Sequence, residues 1–257
     1  LTPLMPGENI TLKLKFDASN LTRVNGILFL DDSINDIYNS SWYPRLINYE
    51  NSYWKKRDFS SNNYEVSALV SVDEVLITSG IELDTENIKA KAMKKINYKL
   101  NNARAFSIAS TYNLSFDTLE SKENPTIKSY YKSNKPSNWS KTILDIANDI
   151  TDFYKKKWGF YPYKQLSIIP GNNYAKGGYA NNNLIVLNES YAKYASDKDA
   201  EKHIRWLLAY FIAQQYFGFQ VGESGEFPKW ITNGAALYSA QTYMKEKNFK
   251  DDSYDTL

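Results

Sequence analysis

Glu201-Lys202-His203-Ile204-Arg205-Trp206-Leu207-Leu208-Ala209-Tyr210-Phe211-Ile212-Ala213-Gln214-Gln215-Tyr216-Phe217-Gly218 is the stretch that decides the fold. Ile204, Leu207, Leu208, Phe211 and Ile212 place apolar side chains on most sides of a helix predicted over roughly Asp199 to Phe217, with Gly218 as its stop. A helix with no wide polar face must be buried, so the surrounding chain has to wrap around it. Short strands at Gln165–Ile169 and Leu184–Leu187 precede it, separated by a Gly/Asn-rich segment. A third helix is predicted from about Pro228, a residue suited to a first helical turn, to about Lys247.

Working back from there, Ile143, Ile146, Ala147, Ile150, Phe153 and Tyr154 recur at three and four residues, the spacing of one buried helical face. Ser140 is placed to cap that helix and Gly159 to end it. Thr126 to Tyr131 reads as a strand. The first part of the chain is strand-like throughout. Ile10 to Phe16 alternates apolar and polar, as do Tyr64 to Val72 and Val75 to Ser79, while Gly26 to Leu30 is a short apolar run between polar turns. Lys91 to Leu100 and Arg104 to Ser110, joined by Asn101-Asn102, read as a hairpin. The expected organisation is a β-rich, sandwich-like module over residues 1–117 and an α/β domain over 118–257.

Composition narrows the functional classes. The chain has 257 residues, with 31 basic against 29 acidic side chains and a formal charge of +2. No bulk electrostatic attraction to nucleic acid or a membrane surface follows from that balance. Cysteine is absent and His203 is the single histidine, which removes disulfides, thiolate chemistry and any site that needs two imidazoles. No apolar run is long enough for a transmembrane helix. Leu1 opens the chain without a signal-type segment, so it reads as a piece of something longer.

Four motifs carry a resemblance. Trp158-Gly159-Phe160-Tyr161-Pro162-Tyr163 resembles the "fG-x-YP" turn of zinc aminopeptidases of the aminopeptidase N type. Gly177-Gly178-Tyr179-Ala180-Asn181-Asn182-Asn183-Leu184-Ile185 is similar to that family's "GAMEN-x-GLI" strand. Tyr210 to Gly218 aligns with "HExxHQWFG", and Trp230 to Tyr238 with "WLNEGFAxY". Eighteen residues lie between Gln214 and Asn233, the family's spacing between its second histidine and third ligand. Trp42-Tyr43-Pro44-Arg45-Leu46, Tyr64-Glu65-Val66 and Ile77-Thr78-Ser79-Gly80 resemble the end of the family's N-terminal β-domain. The resemblance implies an α+β chain: the C-terminal part of a β-sandwich-like domain, then a thermolysin-like domain with a buried central helix. It also implies that the family's helical C-terminal domain, with its intermediate-supporting tyrosine, lies beyond this chain.

The resemblance stops at the chemistry. The family needs two imidazoles at i and i+4, a glutamate on the next helix as third ligand, and a glutamate that deprotonates the metal-bound water. By alignment the ligand positions hold Tyr210, Gln214 and Asn233, and the general-base position holds Phe211. The glutamate that anchors a peptide's free amino terminus is replaced by Ala180. The implied protein is a degenerate peptidase with no catalytic residue, no metal and no cofactor.

Other candidates have bland explanations. His203 is a structural or surface residue, and Glu201, Glu223 and Glu226 belong to a solvated helix start and a polar loop. Lys155-Lys156-Lys157 closes a helix, where cations favour the dipole. Gly177-Gly178 lacks the lysine and hydroxyl that complete a phosphate loop.

Three functional readings remain open. One is a binding module whose edge strand, with Gly177, Gly178, Tyr179 and Asn181, holds an extended peptide or a partner protein segment. Another is a structural domain whose groove is filled by Tyr210, Phe211 and Tyr179. The third is a hydrolase working from an unrecognised site. Relatives of this domain are fused to membrane permeases in some Gram-positive bacteria, so the resemblance implies an extracytoplasmic, cell-surface domain of a larger bacterial protein. The chain itself has no transmembrane segment and no nucleic-acid partner is expected; membrane attachment of a parent protein stays open.

Overall fold

The structure is a computed structural model that describes residues 5, 7–15, 27–30, 34–38, 43–44, 47–50, 53–56, 61–121, 124–132, 138–171, 177–188, 190–191, 198–221 and 230–249. The fold is α+β. The β-rich first part contains β1 (Ile27–Leu30), β2 (Ile34–Tyr38), β3 (Ile47–Glu50), β4 (Tyr53–Lys56), β5 (Asn62–Ser71), β6 (Val75–Thr78), β7 (Ile81–Ile88), β8 (Met93–Ala103) and β9 (Ile108–Thr111). They form a sheet of order β1-β2-β9-β6, a second of order β5-β8-β7, and the pair β3-β4.

The second part is β10 (Leu114–Leu119), β11 (Thr126–Lys132), α1 (Trp139–Trp158), β12 (Gln165–Gly171), β13 (Gly178–Asn181), β14 (Leu184–Asn188), α2 (Lys198–Gln214) and α3 (Trp230–Glu246). One mixed sheet runs β10-β11-β12-β14-β13. β11, β12 and β14 are mutually parallel, β10 and β13 are antiparallel edges, and α1 makes the crossover between β11 and β12. β10 begins at Leu114, so this sheet takes up the chain three residues before the boundary read at 117.

The sheet is covered on both faces, which explains its unbroken apolar runs. Leu166, Ile168, Ile185 and Leu187 point into a core shared with Ile143, Ile150, Ile204, Leu208 and Ile212 of the helices. Their neighbours Ile169, Leu184 and Val186 point the other way and pack with Ile77 and Ala109 from the β-rich part. α2 lies in the middle, with Ile204, Leu208, Ala209, Ile212 and Ala213 fully buried and α1, α3 and β13 around it. The buried central helix is as the periodicity requires. α1 also follows its pattern and ends at Gly159, whose φ of +85° is the left-handed cap that glycine adopts freely.

Several expectations are corrected. Lys91–Leu100 and Arg104–Ser110 are not a hairpin. β8 runs straight through Asn101-Asn102 to Ala103 and pairs with β5 and β7, whereas β9 joins the other sheet. Asn102 takes φ +54° beside a register shift opposite Asn62–Tyr64, so the Asn pair makes a bulge instead of a turn. Residues 10–15 form no strand: Ile10, Leu12 and Leu14 are exposed, and alternation without a pairing partner does not hold a strand. Ser140 does not cap α1: its hydroxyl donates to Ser129 O at 3.2 Å, and Asn138, which precedes the helix, makes no side-chain capping bond. Gly218 does not stop the central helix. A π-helical turn, Gln215–Gln220, carries it on, because Gly218 is not among the glycines that turn left-handed. Phe16, Trp42, Arg45, Leu46, Glu223, Glu226 and Pro228 lie outside the described residues.

Candidate functional site

The aligned positions meet on one face of α2 and the start of α3. Tyr210 and Gln214 are one helical turn apart, and the Gln214 amide donates to the Tyr210 hydroxyl at 3.0 Å. The same nitrogen reaches Asn233 Oδ1 at 3.5 Å, a long contact across the two helices. Three residues far apart in chain character thus form one neutral cluster: a phenol and two carboxamides. Burial pushes the Tyr210 hydroxyl above its ordinary titration range, so it stays protonated. Phe211, one step round the helix, is 5% exposed and belongs to the main core. A zinc ion does not fit this donor set. It offers neither imidazole nor carboxylate, and the neighbouring Phe211 brings only an apolar ring. Among the described residues, no group of three or more His, Asp or Glu side chains is placed to hold a metal.

β13 borders the cluster as the edge of the sheet. Asn188 N–H bonds Gly177 O at 3.3 Å, which makes Gly178–Leu187 a widely spaced pair of the ladder. Tyr179 and Asn181 therefore spend their backbone groups on β14, while Gly178 and Ala180 turn theirs toward the open edge. Side chains follow the opposite logic. Ala180 packs on the helical core, and Tyr179 packs on the other face of the sheet with the β-rich part. Tyr179 therefore does not share a face with Tyr210 and Phe211. Gly178 has φ +139°, and a Cβ there would lie 2.2 Å from Val186 O and 3.0 Å from the Phe211 ring. Glycine at this position lets β13 lie directly against α2.

The turn behind β13 ties the site to the β-rich part. Asn183, at φ +58°, donates its backbone N–H to Gln215 Oε1 at 3.0 Å, and its side-chain amide donates to Ser79 O at 2.8 Å. Gln215 Nε2 donates to Asn181 O at 3.1 Å. Asn182 accepts from Ala105 N at 3.2 Å and donates to the Tyr163 hydroxyl at 2.6 Å. The Asn181-Asn182-Asn183 run is a buried hydrogen-bonded knot. Its role was hidden in the sequence because every partner comes from a distant segment.

A row of rings continues from the cluster along α2. Tyr210 and Trp206 are near-parallel, 5.8 Å apart at 7°, and Trp206 stacks on His203 at 6.5 Å and 18°. His203 Nε2 lies 2.9 Å from the Tyr191 hydroxyl. The lone histidine is thus held by structure, and Trp206, not singled out by motif, belongs to the site. Its spacing to His203 and Tyr210, three and four residues, was the signal available. Glu201 pairs with Arg205 at 2.8 Å within the same helix. No helix among the described residues is long and apolar enough to cross a membrane. Neither the models of known families nor the curated proteins compared with this chain match it.

Proposed function

We propose that this chain is a non-catalytic, aminopeptidase-like domain that holds an extended polypeptide segment along β13 without cutting it. The reading includes a thermolysin-like arrangement of the second part, a sandwich-like first part, and placement on the extracytoplasmic side as part of a larger bacterial protein. The observation that carries it is the meeting of Tyr210, Gln214 and Asn233 in one neutral cluster beside an edge strand with two backbone positions turned outward. An incoming strand pairs with Gly178 and Ala180, and its side chains on one face meet the Trp206–Tyr210 rings. With Ala180 in place of an acid, the site has no counter-charge for a free amino terminus. The interior of a chain suits it better than its end.

The test is Ala180→Pro. Proline removes the N–H that points to the edge and leaves the β14 ladder intact, because that ladder does not use it. Titration of the protein with a pooled set of extended peptides should show saturable binding, weakened about tenfold or more in the variant, at nearly unchanged melting temperature. Equal binding by both proteins, or none by the unmodified one, refutes the reading.

A second reading has its own observation. Phe211 presses its ring against Gly178, so the space beside β13 is already filled from within. A purely structural domain then shows no peptide binding at all. Chelator-sensitive peptide cleavage by the unmodified protein would overturn both readings in favour of a hydrolase.

A further inference from the structure

A cavity of about 290 Å³ opens between the end of α1, the π-helical turn and the middle of α3, separate from the β13 edge. Its walls are rings. Trp158 stacks on the buried Tyr154 at 4.5 Å and 19°, and Phe217 stands edge-on to Trp158 at 5.1 Å and 85°. Tyr238, 70% exposed, forms the outer wall. Ala235 lines it too, a small residue on α3 with room beside it.

Lys157 and the Trp158 indole N–H are the donors at its edge, and the two helix hydroxyls on its α3 wall are left as acceptors. Ser239 Oγ donates to Ala235 O at 2.6 Å and Thr242 Oγ1 to Tyr238 O at 2.8 Å, so each hydroxyl has spent its one proton on its own helix. The Tyr154 hydroxyl donates to Ala209 O at 3.0 Å. Lys157 at the rim is held by Glu246 at 2.6 Å. A ligand seated here meets flat apolar faces and lone pairs awaiting a donor.

We infer that this cavity binds a neutral aromatic ring carrying one hydrogen-bond donor, of the indole or phenol type. Size agrees: an engineered apolar cavity of about 150 Å³ takes benzene, and about twice that volume takes two fused rings. A saccharide is a poorer match, since its many hydroxyls also need donors that the spent Ser239 and Thr242 protons do not supply. The ring can belong to a free small molecule or to a tryptophan or tyrosine side chain of a bound polypeptide; the chemistry is shared.

The experiment titrates the intact protein with 3-methylindole, p-cresol, toluene, glucose and N-acetyl-tryptophanamide, followed by calorimetry and ligand-detected NMR. Indole and cresol should bind saturably, with toluene about tenfold weaker for want of one hydrogen bond and glucose not binding. Ser239→Ala combined with Thr242→Val should bring cresol down to the level of toluene. Ala235→Phe should fill the cavity and abolish binding, and Tyr238→Ala, at an exposed site that leaves the core intact, should weaken it about fivefold. N-acetyl-tryptophanamide binding as well as 3-methylindole assigns the ring to a polypeptide side chain, and binding much more weakly assigns it to a free molecule. No saturation by 3-methylindole up to about 10 mM, equal affinity for cresol and toluene, or undiminished binding by a folded Ala235→Phe variant overturns the inference.

Discussion

Phe211→Ala tests how the central helix is built. The Phe211 ring is 5% exposed and packed in the largest core cluster among the described residues. It also abuts the backbone of Gly178, so nothing on β13 can move in to fill the space it leaves without disturbing the sheet edge. Truncating a buried phenylalanine costs about 3–5 kcal/mol from lost transfer energy plus the residual cavity. In a protein whose total stability is on the order of 5–15 kcal/mol that is a large share. At roughly 2–4 °C per kcal/mol for a chain of this size, the melting temperature should fall by about 10 °C. Thermal melts followed by circular dichroism, with urea midpoints as a second measure, read the change. Phe211→Leu, which nearly keeps the volume, should cost under about 1.5 kcal/mol. A fall of only one or two degrees for the alanine variant would mean the ring does not fill core, and the packing argument would be wrong.

Three further outcomes follow from the same structure. Purified protein should carry no stoichiometric zinc, whereas Tyr210→His, Gln214→His and Asn233→Glu together, which leave the Phe211 core ring in place, should create a zinc-dependent rise in melting temperature, about 2.7 kcal/mol at a hundredfold excess over Kd; one zinc per unmodified chain by elemental analysis, or no zinc response in the folded variant, contradicts the geometry. Gln215→Leu leaves the buried Asn183 N–H without its acceptor and should cost about 1–3 kcal/mol, with faster amide exchange at Asn183; unchanged exchange there would remove Gln215 from the knot. Burial tends to raise the Asp149 carboxyl, but hydrogen bonds from Lys247 and Tyr243 and the charge of Arg205 outweigh it and hold it below its ordinary range. A depressed folded value means its stabilisation is present above the unfolded value near ~3.9 and is lost as pH falls through the folded one. Asp149→Asn should therefore cost about 1 kcal/mol at neutral pH, discounted for partial exposure, with the gap closing as pH falls through the folded value; a gap constant with pH would rule this out.

Periodicity and composition were enough to determine the buried central helix, the amphipathic helix before it, and the short strands read at Gln165–Ile169 and Leu184–Leu187. These are local properties: a 3.6-residue or two-residue repeat, a glycine cap. What pairs with what was not local. Asn101-Asn102 has the composition of a turn, yet the partners on either side of β8 hold the chain extended and turn the Asn pair into a bulge. Ile10 to Lys15 has the alternation of a strand and, among the described residues, no neighbour to bond. Gly218 has the look of a stop, but the helix continues through it as a π-helical turn. The three asparagines at 181–183 fall in a segment read as an edge strand, and their role in a buried knot was not legible, because it rests on Ser79, Ala105, Tyr163 and Gln215. The cluster of Tyr210, Gln214 and Asn233 depends likewise on how α2 meets α3. Side-chain chemistry is written along the chain, but a hydrogen bond across 19 or 104 residues exists only once the layers have packed.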